Sequence, residues 1–191
     1  MTGAELRALD CWGPEGGLLS ESELDWLMDY VSKRWFHHVL EVGHYTGLST
    51  LALIMGARLG KLTTVDHHKG DKWVSGSSAA TFLCNIAKAP PSKPLPDVII
   101  APYDTAMLDW LKPSLLFWDA DHGHEQVRAM CDAAQRKFIR AVVFDDADFE
   151  HAKIGAEVLR AHGWRDVSPP LYRGPQDKLD PKTMTLGAFE R

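Results

Sequence analysis

The sequence predicts an α/β protein with a doubly wound, mostly parallel sheet that carries helices on both faces. Apolar stretches alternate with amphipathic ones along the chain, as expected of successive strand–helix units in a parallel sheet. The strand-like stretches are continuously apolar, which is typical of strands buried on both faces. A chain of 191 residues suits a single domain, which we divide into an N-terminal helical segment over 1–36 and an α/β core over 37–191.

The individual elements follow from the same alternation. A first helix is expected over 20–34, because Ser20 and Glu23 form the S-x-x-E pattern of a capping box. Two β-prone tail segments, GWRDVS and TMTLGAFE, are expected to add antiparallel strands at one edge of the sheet. The core strands are predicted over 37–42, 61–66, 97–101, 114–120 and 140–146, and the core helices over 48–59, 77–89, 105–111, 124–138 and about 151–162.

Composition and charge narrow the class of protein. The formal net charge is −5 and no block of Lys or Arg stands out, so we expect neither a nucleic-acid partner nor a membrane-surface partner. No apolar run reaches the roughly 18 residues of a membrane-spanning helix, and the N-terminus lacks a signal-peptide pattern, so a cytoplasmic protein is expected. Cys11, Cys84 and Cys131 form no CxxC pair, which predicts reduced thiols.

Acidic residues stand at or near the ends of the predicted strands. In an open parallel sheet, ligands bind outside the carboxyl ends of the strands, where the strand order reverses. Solvated loops also carry Asp, but a carboxylate at nearly every strand end favours a ligand-binding edge. The residues concerned are Glu41, Asp66, Asp104, Asp119 and Asp145.

The stretch LEVGHYTGLST over 40–50 is a candidate ligand-binding turn. Gly43 and Gly47 allow the backbone to bend sharply and to approach a ligand closely, although a plain strand-to-helix turn is the alternative. The GxGxxG fingerprint is absent because Tyr45 stands where its second glycine is needed, which disfavours a nicotinamide-dependent oxidoreductase. Asp66 follows at the distance where an acidic residue accepts hydrogen bonds from a ribose, unless it only caps a helix or loop.

Three motifs in order resemble a known enzyme family. LEVGHYTGLSTLAL resembles the first motif of class I S-adenosylmethionine (SAM)-dependent methyltransferases, in the O-methyltransferase branch related to catechol and caffeoyl-CoA O-methyltransferases. FWDADHGHEQVRA is similar to the DxDH/K segment of that branch, and VVFDDAD is similar to its later strand end. The similarity covers roughly residues 16–165. It implies a Rossmann-like fold and O-methylation of a small hydroxylated molecule.

The resemblance also implies residue roles. The matched positions would place three carboxylates around one divalent cation, Mg²⁺ or another, namely Asp119, Asp145 and Asp146. Such a cation prefers about six oxygen ligands and lowers the pKa of a bound hydroxyl, so Asp119 would also be catalytic. The cofactor-binding residues implied for SAM are Glu41, Gly43, Tyr45, Thr46, Gly47, Ser49, Asp66, His67, Tyr103, Asp104 and Asp119.

One departure from the family concerns the base. Catechol-type members carry a lysine three residues after the first metal-binding Asp, and here His122 stands at that position. A histidine can accept a proton near neutral pH, so His122 is the candidate base, with His124 a weaker alternative and a supporting role for His122 still open.

Other readings of the same residues stay open. Asp145 and Asp146 could instead cap the next helix. A metal-independent enzyme that uses His122, a catalytically inactive SAM-fold scaffold and a homodimer are all compatible with the sequence.

Overall fold

The computed structural model describes residues 1–9, 19–56, 60–67, 78–120, 123–175 and 180–191. Within these residues one seven-stranded sheet has the order β3-β2-β1-β4-β5-β7-β6. The first five strands run parallel, while β7 pairs antiparallel with both β5 and β6. The predicted mostly parallel sheet with antiparallel tail strands is confirmed. The strands are β1 (His38–Val42), β2 (Lys61–Asp66), β3 (Asp97–Ile100), β4 (Leu115–Trp118), β5 (Ala141–Phe144), β6 (Arg165–Asp166) and β7 (Gly187–Glu190).

Seven helices accompany the sheet in the described part of the chain. They are α1 (Gly3–Leu9), α2 (Glu21–Ser32), α3 (Leu48–Gly56), α4 (Ser78–Ile86), α5 (Met107–Leu111), α6 (His124–Ala133) and α7 (Glu150–Ala161). The capping box of α2 is confirmed, since the Glu23 N–H donates to Ser20 Oγ at 3.1 Å and the Ser20 N–H donates to Glu23 Oε2 at 2.8 Å. Helix α1 lies within the N-terminal segment predicted as helical, although its own bounds were not predicted.

Helix α6 is shorter than the predicted 124–138. After Ala133 the chain continues in short turns, one of which is closed by the Ile139 N–H donating to the Arg136 carbonyl at 3.0 Å. These turns bring the fully buried Ile139 into the core immediately before β5. Burial of this apolar side chain therefore ends the helix earlier than its periodicity suggests.

The two faces of the sheet are covered by different helices. Val39 of β1 faces the apolar cluster that contains α1 to α4, whereas Leu40 faces the cluster that contains α5 to α7. The same alternation holds for Val142 and Val143 of β5. Because side chains alternate along a strand, each central strand is buried on both faces, which explains its continuous apolarity.

Two further expectations can be compared with the structure. Cys84 on α4 is disulfide-bonded, so the expectation of reduced thiols is wrong for this residue. Cys131 is a buried free thiol, and burial raises its pKa to about 12. Among the described helices, none combines the length and the apolar character that crossing a bilayer requires.

Candidate functional site

The turn between β1 and α3 has two positions whose backbone conformation favours glycine. Gly43 and Gly47 have φ angles of 83° and 85°, in the left-handed region that L side chains rarely adopt. A Cβ atom at Gly43 would stand 1.9 Å from the carbonyl oxygen of Asp119, and one at Gly47 would stand 2.6 Å from the ring of Phe82. Tyr45 between them also has a positive φ, of 41°. The predicted ligand-binding turn is thus tightly packed between the end of β4 and α4.

Asp66 at the end of β2 holds this turn from the other side. Its Oδ2 atom accepts hydrogen bonds from two consecutive backbone N–H groups, those of His44 at 3.1 Å and Tyr45 at 2.9 Å. The exposed ring of His67 lies 3.9 Å from the other carboxylate oxygen, Oδ1. The structure therefore brings together Asp66, His67 and the turn, as the predicted cofactor site requires.

Glu41 lies beneath the same turn and is fully buried. The Ser49 hydroxyl donates to its Oε1 atom and the Thr50 hydroxyl to its Oε2 atom, each at 2.6 Å. Burial raises the pKa of Glu41 to about 7, while the two hydroxyl hydrogen bonds act in the opposite direction. Glu41 and Ser49 therefore fix the first turn of α3 against β1, a role in addition to the predicted cofactor contact.

Thr46 also belongs to this support. It is buried, and its carbonyl oxygen accepts a hydrogen bond from the side-chain amide of Asn85 on α4 at 2.9 Å. The turn is thereby tied to the element that follows β2 as well as to the strand ends.

Tyr103, after β3, lies at the same edge and contacts Trp118 at the end of β4. The two rings pack edge to face with centroids 5.1 Å apart. The Tyr103 hydroxyl and the Trp118 Nε1 atom are buried, and neither has a hydrogen-bond partner within the part of the chain that the structure describes. Burial also raises the pKa of the Tyr103 hydroxyl. Since an unsatisfied buried polar group costs about 1–3 kcal/mol, both atoms favour a bound molecule with polar groups.

Trp118 was not among the predicted site residues. The sequence feature that could have indicated it is a tryptophan, an apolar side chain with one polar atom, at the last position of an apolar strand immediately before Asp119. Asp104, by contrast, is exposed, and its carboxylate accepts from the Ala106 N–H at 2.9 Å. This bond gives Asp104 a local role at the start of α5.

The acidic residues after β5 have partners of their own. Asp145 is buried, and its Oδ1 atom lies 3.2 Å from the hydroxyl of Thr185. Asp146, with a φ of 53°, pairs with Arg173 at 2.9 Å. Asp148 accepts two hydrogen bonds from the same guanidinium, at 2.7 and 2.8 Å. The two carboxylates raise the pKa of Arg173, with Asp148 the larger cause.

The divalent-cation site predicted from Asp119, Asp145 and Asp146 stays a prediction. Within the described ranges no three His, Cys, Asp or Glu side chains are grouped so that they could hold a metal ion. One of the three predicted ligands is directed to a buried hydroxyl and another is paired with an arginine. The alternative that Asp145 and Asp146 cap α7 is wrong, since Phe149 is the N-cap residue and has no side-chain cap. His122 lies outside the described residues, so its role as the base stays a prediction.

Comparisons with known proteins agree with this geometry. Residues 40–147, which include the glycine turn, Asp66 and the ends of β4 and β5, match the model of a family described as a methyltransferase domain. No curated protein sequence matches the chain closely enough to count as a relative.

Solved structures share the fold at low sequence identity. Cofactor-bound Rv0187 from MTB is 20% identical with a TM-score of 0.67, and the match covers 98% of this chain and 88% of that one. The O-methyltransferase TomG from Streptomyces achromogenes, solved with SAM, is 16% identical with a TM-score of 0.62, over 98% and 88% of the two chains. An O-methyltransferase from Bacillus cereus, solved with SAH (S-adenosylhomocysteine), is 17% identical with a TM-score of 0.63, over 98% and 86%.

Proposed function

The chain belongs to the methyltransferase domain family, and from this premise we propose that it transfers the methyl group of SAM to a hydroxyl oxygen of a small molecule. The observation that carries the proposal is the Asp66 carboxylate, which is bound to two amides of the glycine turn inside the family-matched region. The O-methyltransferases among the similar folds support oxygen as the acceptor atom.

The residues at the carboxyl edge fit a molecule with the polar groups of SAM. Asp66 uses one oxygen to hold the turn, and the acidic residue at this strand end is suited to accept hydrogen bonds from ribose hydroxyls. The glycine turn keeps its shape because no side chain projects at Gly43 or Gly47, which lets it pack closely against the end of β4 and against Phe82. Tyr103 and Trp118 offer buried polar atoms that a bound cofactor can satisfy.

When bound, SAM supplies a sulfonium-activated methyl group, which is transferred to the acceptor oxygen as the carbon–sulfur bond breaks and the hydroxyl proton departs. The protein's contribution is to hold the acceptor oxygen in line with the methyl carbon and to keep the reaction away from water. His122 follows β4 by four residues in the sequence, and on this proposal it accepts the proton.

A catalytically inactive binding protein is the second candidate, since the fold alone does not require turnover. This candidate uses the same strand-end residues for the cofactor, and the Tyr103 hydroxyl and the Trp118 Nε1 atom have no hydrogen-bond partner in the described part of the chain. Both candidates predict cofactor binding, so they differ only in catalysis.

The first experiment is a calorimetric titration of the protein with SAH, with NAD as the control ligand. Saturable SAH binding without NAD binding supports the proposal, and absence of SAH binding overturns it. Transfer from methyl-labelled SAM to a panel of phenols, diols and amines then identifies the acceptor atom. An O-methyl product supports the proposed function, an N-methyl product contradicts its acceptor, and SAH binding without any transfer favours the inactive binding protein.

A further inference from the structure

The carboxylates of Asp146 and Asp148, which follow β5, have a positively charged partner within the chain. Nη2 of Arg173 donates to Asp146 Oδ1 at 2.9 Å, and its Nε and Nη2 atoms donate to the two oxygens of Asp148 at 2.7 and 2.8 Å. The paired contact with Asp148 is the fork geometry in which a guanidinium binds a carboxylate best. All three side chains are partly buried, so solvent screens the interaction less than at an open surface.

The backbone next to Arg173 and a nearby aromatic ring hold its side chain in this position. Tyr172 and Met184 exchange two backbone hydrogen bonds, at 2.8 and 2.6 Å, immediately before Arg173. The guanidinium carbon also lies 4.7 Å from the ring centroid of Phe149, within cation–π range. The cation is therefore fixed at the edge of the sheet by backbone pairing and by an aromatic ring.

Asp145 contacts a buried hydroxyl group. It is 4% exposed and approaches the hydroxyl of Thr185 at 3.2 Å. That hydroxyl lies 2.6 Å from the fully buried carboxylate of Glu23 on α2. Asp145 thus joins a buried network between β5 and α2, whereas Asp146, with a φ of 53°, pairs with Arg173.

We propose that the Arg173 guanidinium stands in place of a divalent metal ion beside the Asp146 and Asp148 carboxylates at this edge of the sheet, and that methyl transfer by this chain needs no divalent metal. The statement about methyl transfer rests on the proposed function, whereas the pairing of Arg173 with the two carboxylates does not. In this arrangement Arg173 is a positioning residue, because it joins the C-terminal segment to the loop between β5 and α7.

The test is the thermal unfolding of the purified full chain with and without Mn²⁺, which reports binding without any assay of activity. The variant Arg173→Met removes the charge at a similar side-chain length, and Arg173→Gln is a second neutral variant should the first not fold. The matched control is Arg160→Met, because Arg160 also pairs with an aspartate, Asp166, and also lies over an aromatic ring, that of Phe189.

The expected result is a wild-type melting temperature that Mn²⁺ leaves unchanged and a neutral Arg173 variant that Mn²⁺ stabilises, since two carboxylates have lost their cation. The Arg160→Met control should show no such gain. Saturable stabilisation of the wild type by Mn²⁺ would overturn the proposal. A folded neutral variant whose melting temperature Mn²⁺ does not raise would also overturn the proposal, because Arg173 would then not occupy a place where a metal ion can bind.

Turnover gives the remaining readout. With an acceptor in hand, wild-type activity should be the same after chelation with EDTA and after addition of Mg²⁺. Loss of activity on chelation would overturn the metal-free mechanism. If no acceptor is methylated at all, the proposed function fails, whereas the Mn²⁺ unfolding experiment still decides the role of Arg173.

Discussion

Gly43 lies so close to Asp119 that a Cβ atom at position 43 would stand 1.9 Å from the Asp119 carbonyl oxygen. The contact joins the turn after β1 to the end of β4, the neighbouring strand. It is a contact with backbone, which cannot rotate away as a side chain can. The shape of the candidate cofactor site therefore depends on the absence of a side chain at Gly43.

We expect Gly43→Ala to abolish SAH binding and to lower the free energy of unfolding by about 2–5 kcal/mol, since overpacking and a left-handed backbone both contribute. The matched control is Gly163→Ala. Gly163 has a similar φ of 80°, but a Cβ there would meet nothing within 4 Å. The control should lose only about 1–2 kcal/mol and should bind SAH as the wild type does. Equal stability and equal SAH affinity of the two variants would contradict the close-packed turn.

Asp66 gives a second prediction because it has two separable functions. Asp66→Ala removes both the acceptor for the turn amides and the negative charge, so SAH affinity should fall by about 10–100-fold. Asp66→Asn keeps an oxygen that can accept from the Tyr45 N–H and should lose less. Asp97→Ala is the control, because Asp97 forms an exposed pair with Lys61, and such pairs contribute little. Calorimetry that finds the alanine variant as tight as the wild type would place the cofactor elsewhere.

The sequence predicts the parts of the site that lie at strand ends. Gly43, Asp66 and Asp119 lie at or just after the ends of apolar strands whose parallel direction could be predicted from the alternation of elements, and in the structure they lie at one edge. Local pattern was sufficient here because a parallel sheet places the carboxyl ends of its strands together.

The sequence could not predict the partners that arrive from the C-terminal segment. Arg173 contacts Asp146 across 27 positions, and Thr185 contacts Glu23 across 162. Neither pair has a local pattern, because both depend on β7 inserting antiparallel beside β5. For this reason the aspartates after β5 were predicted as metal ligands from motif resemblance, while the structure gives them an arginine and a buried hydroxyl.

The buried hydroxyl of Tyr103 predicts opposite effects in the free and bound protein. Without ligand, Tyr103→Phe removes a buried polar atom that has no partner in the described structure, so stability should stay equal or rise by about 1 kcal/mol. With SAH, the variant should gain less in melting temperature than the wild type, because it offers the cofactor one hydrogen bond fewer. Tyr172→Phe is the control, since that ring is exposed. A variant that is less stable without ligand and responds fully to SAH would show that the hydroxyl has a purely structural role.

We expect the raised pKa of Glu41 to make the protein less stable as the pH rises from 4.5 to 7. Its pKa is raised from 4.5 to about 7, mainly by burial, so the folded protein retains a proton that the unfolded chain releases between these values. The contribution of Glu41 to the free energy of unfolding is therefore fully present below pH 4.5 and is lost as the pH rises towards 7. The loss is about 3 kcal/mol at most, since one pKa unit corresponds to about 1.4 kcal/mol. Glu41→Gln does not titrate and should remove this slope. Urea unfolding across the same pH range measures it, with Glu125→Gln on the exposed face of α6 as the control that should keep the wild-type slope. If wild type and Glu41→Gln follow parallel curves, the carboxyl of Glu41 is ionised throughout, and its bonds to Ser49 and Thr50 must outweigh its burial.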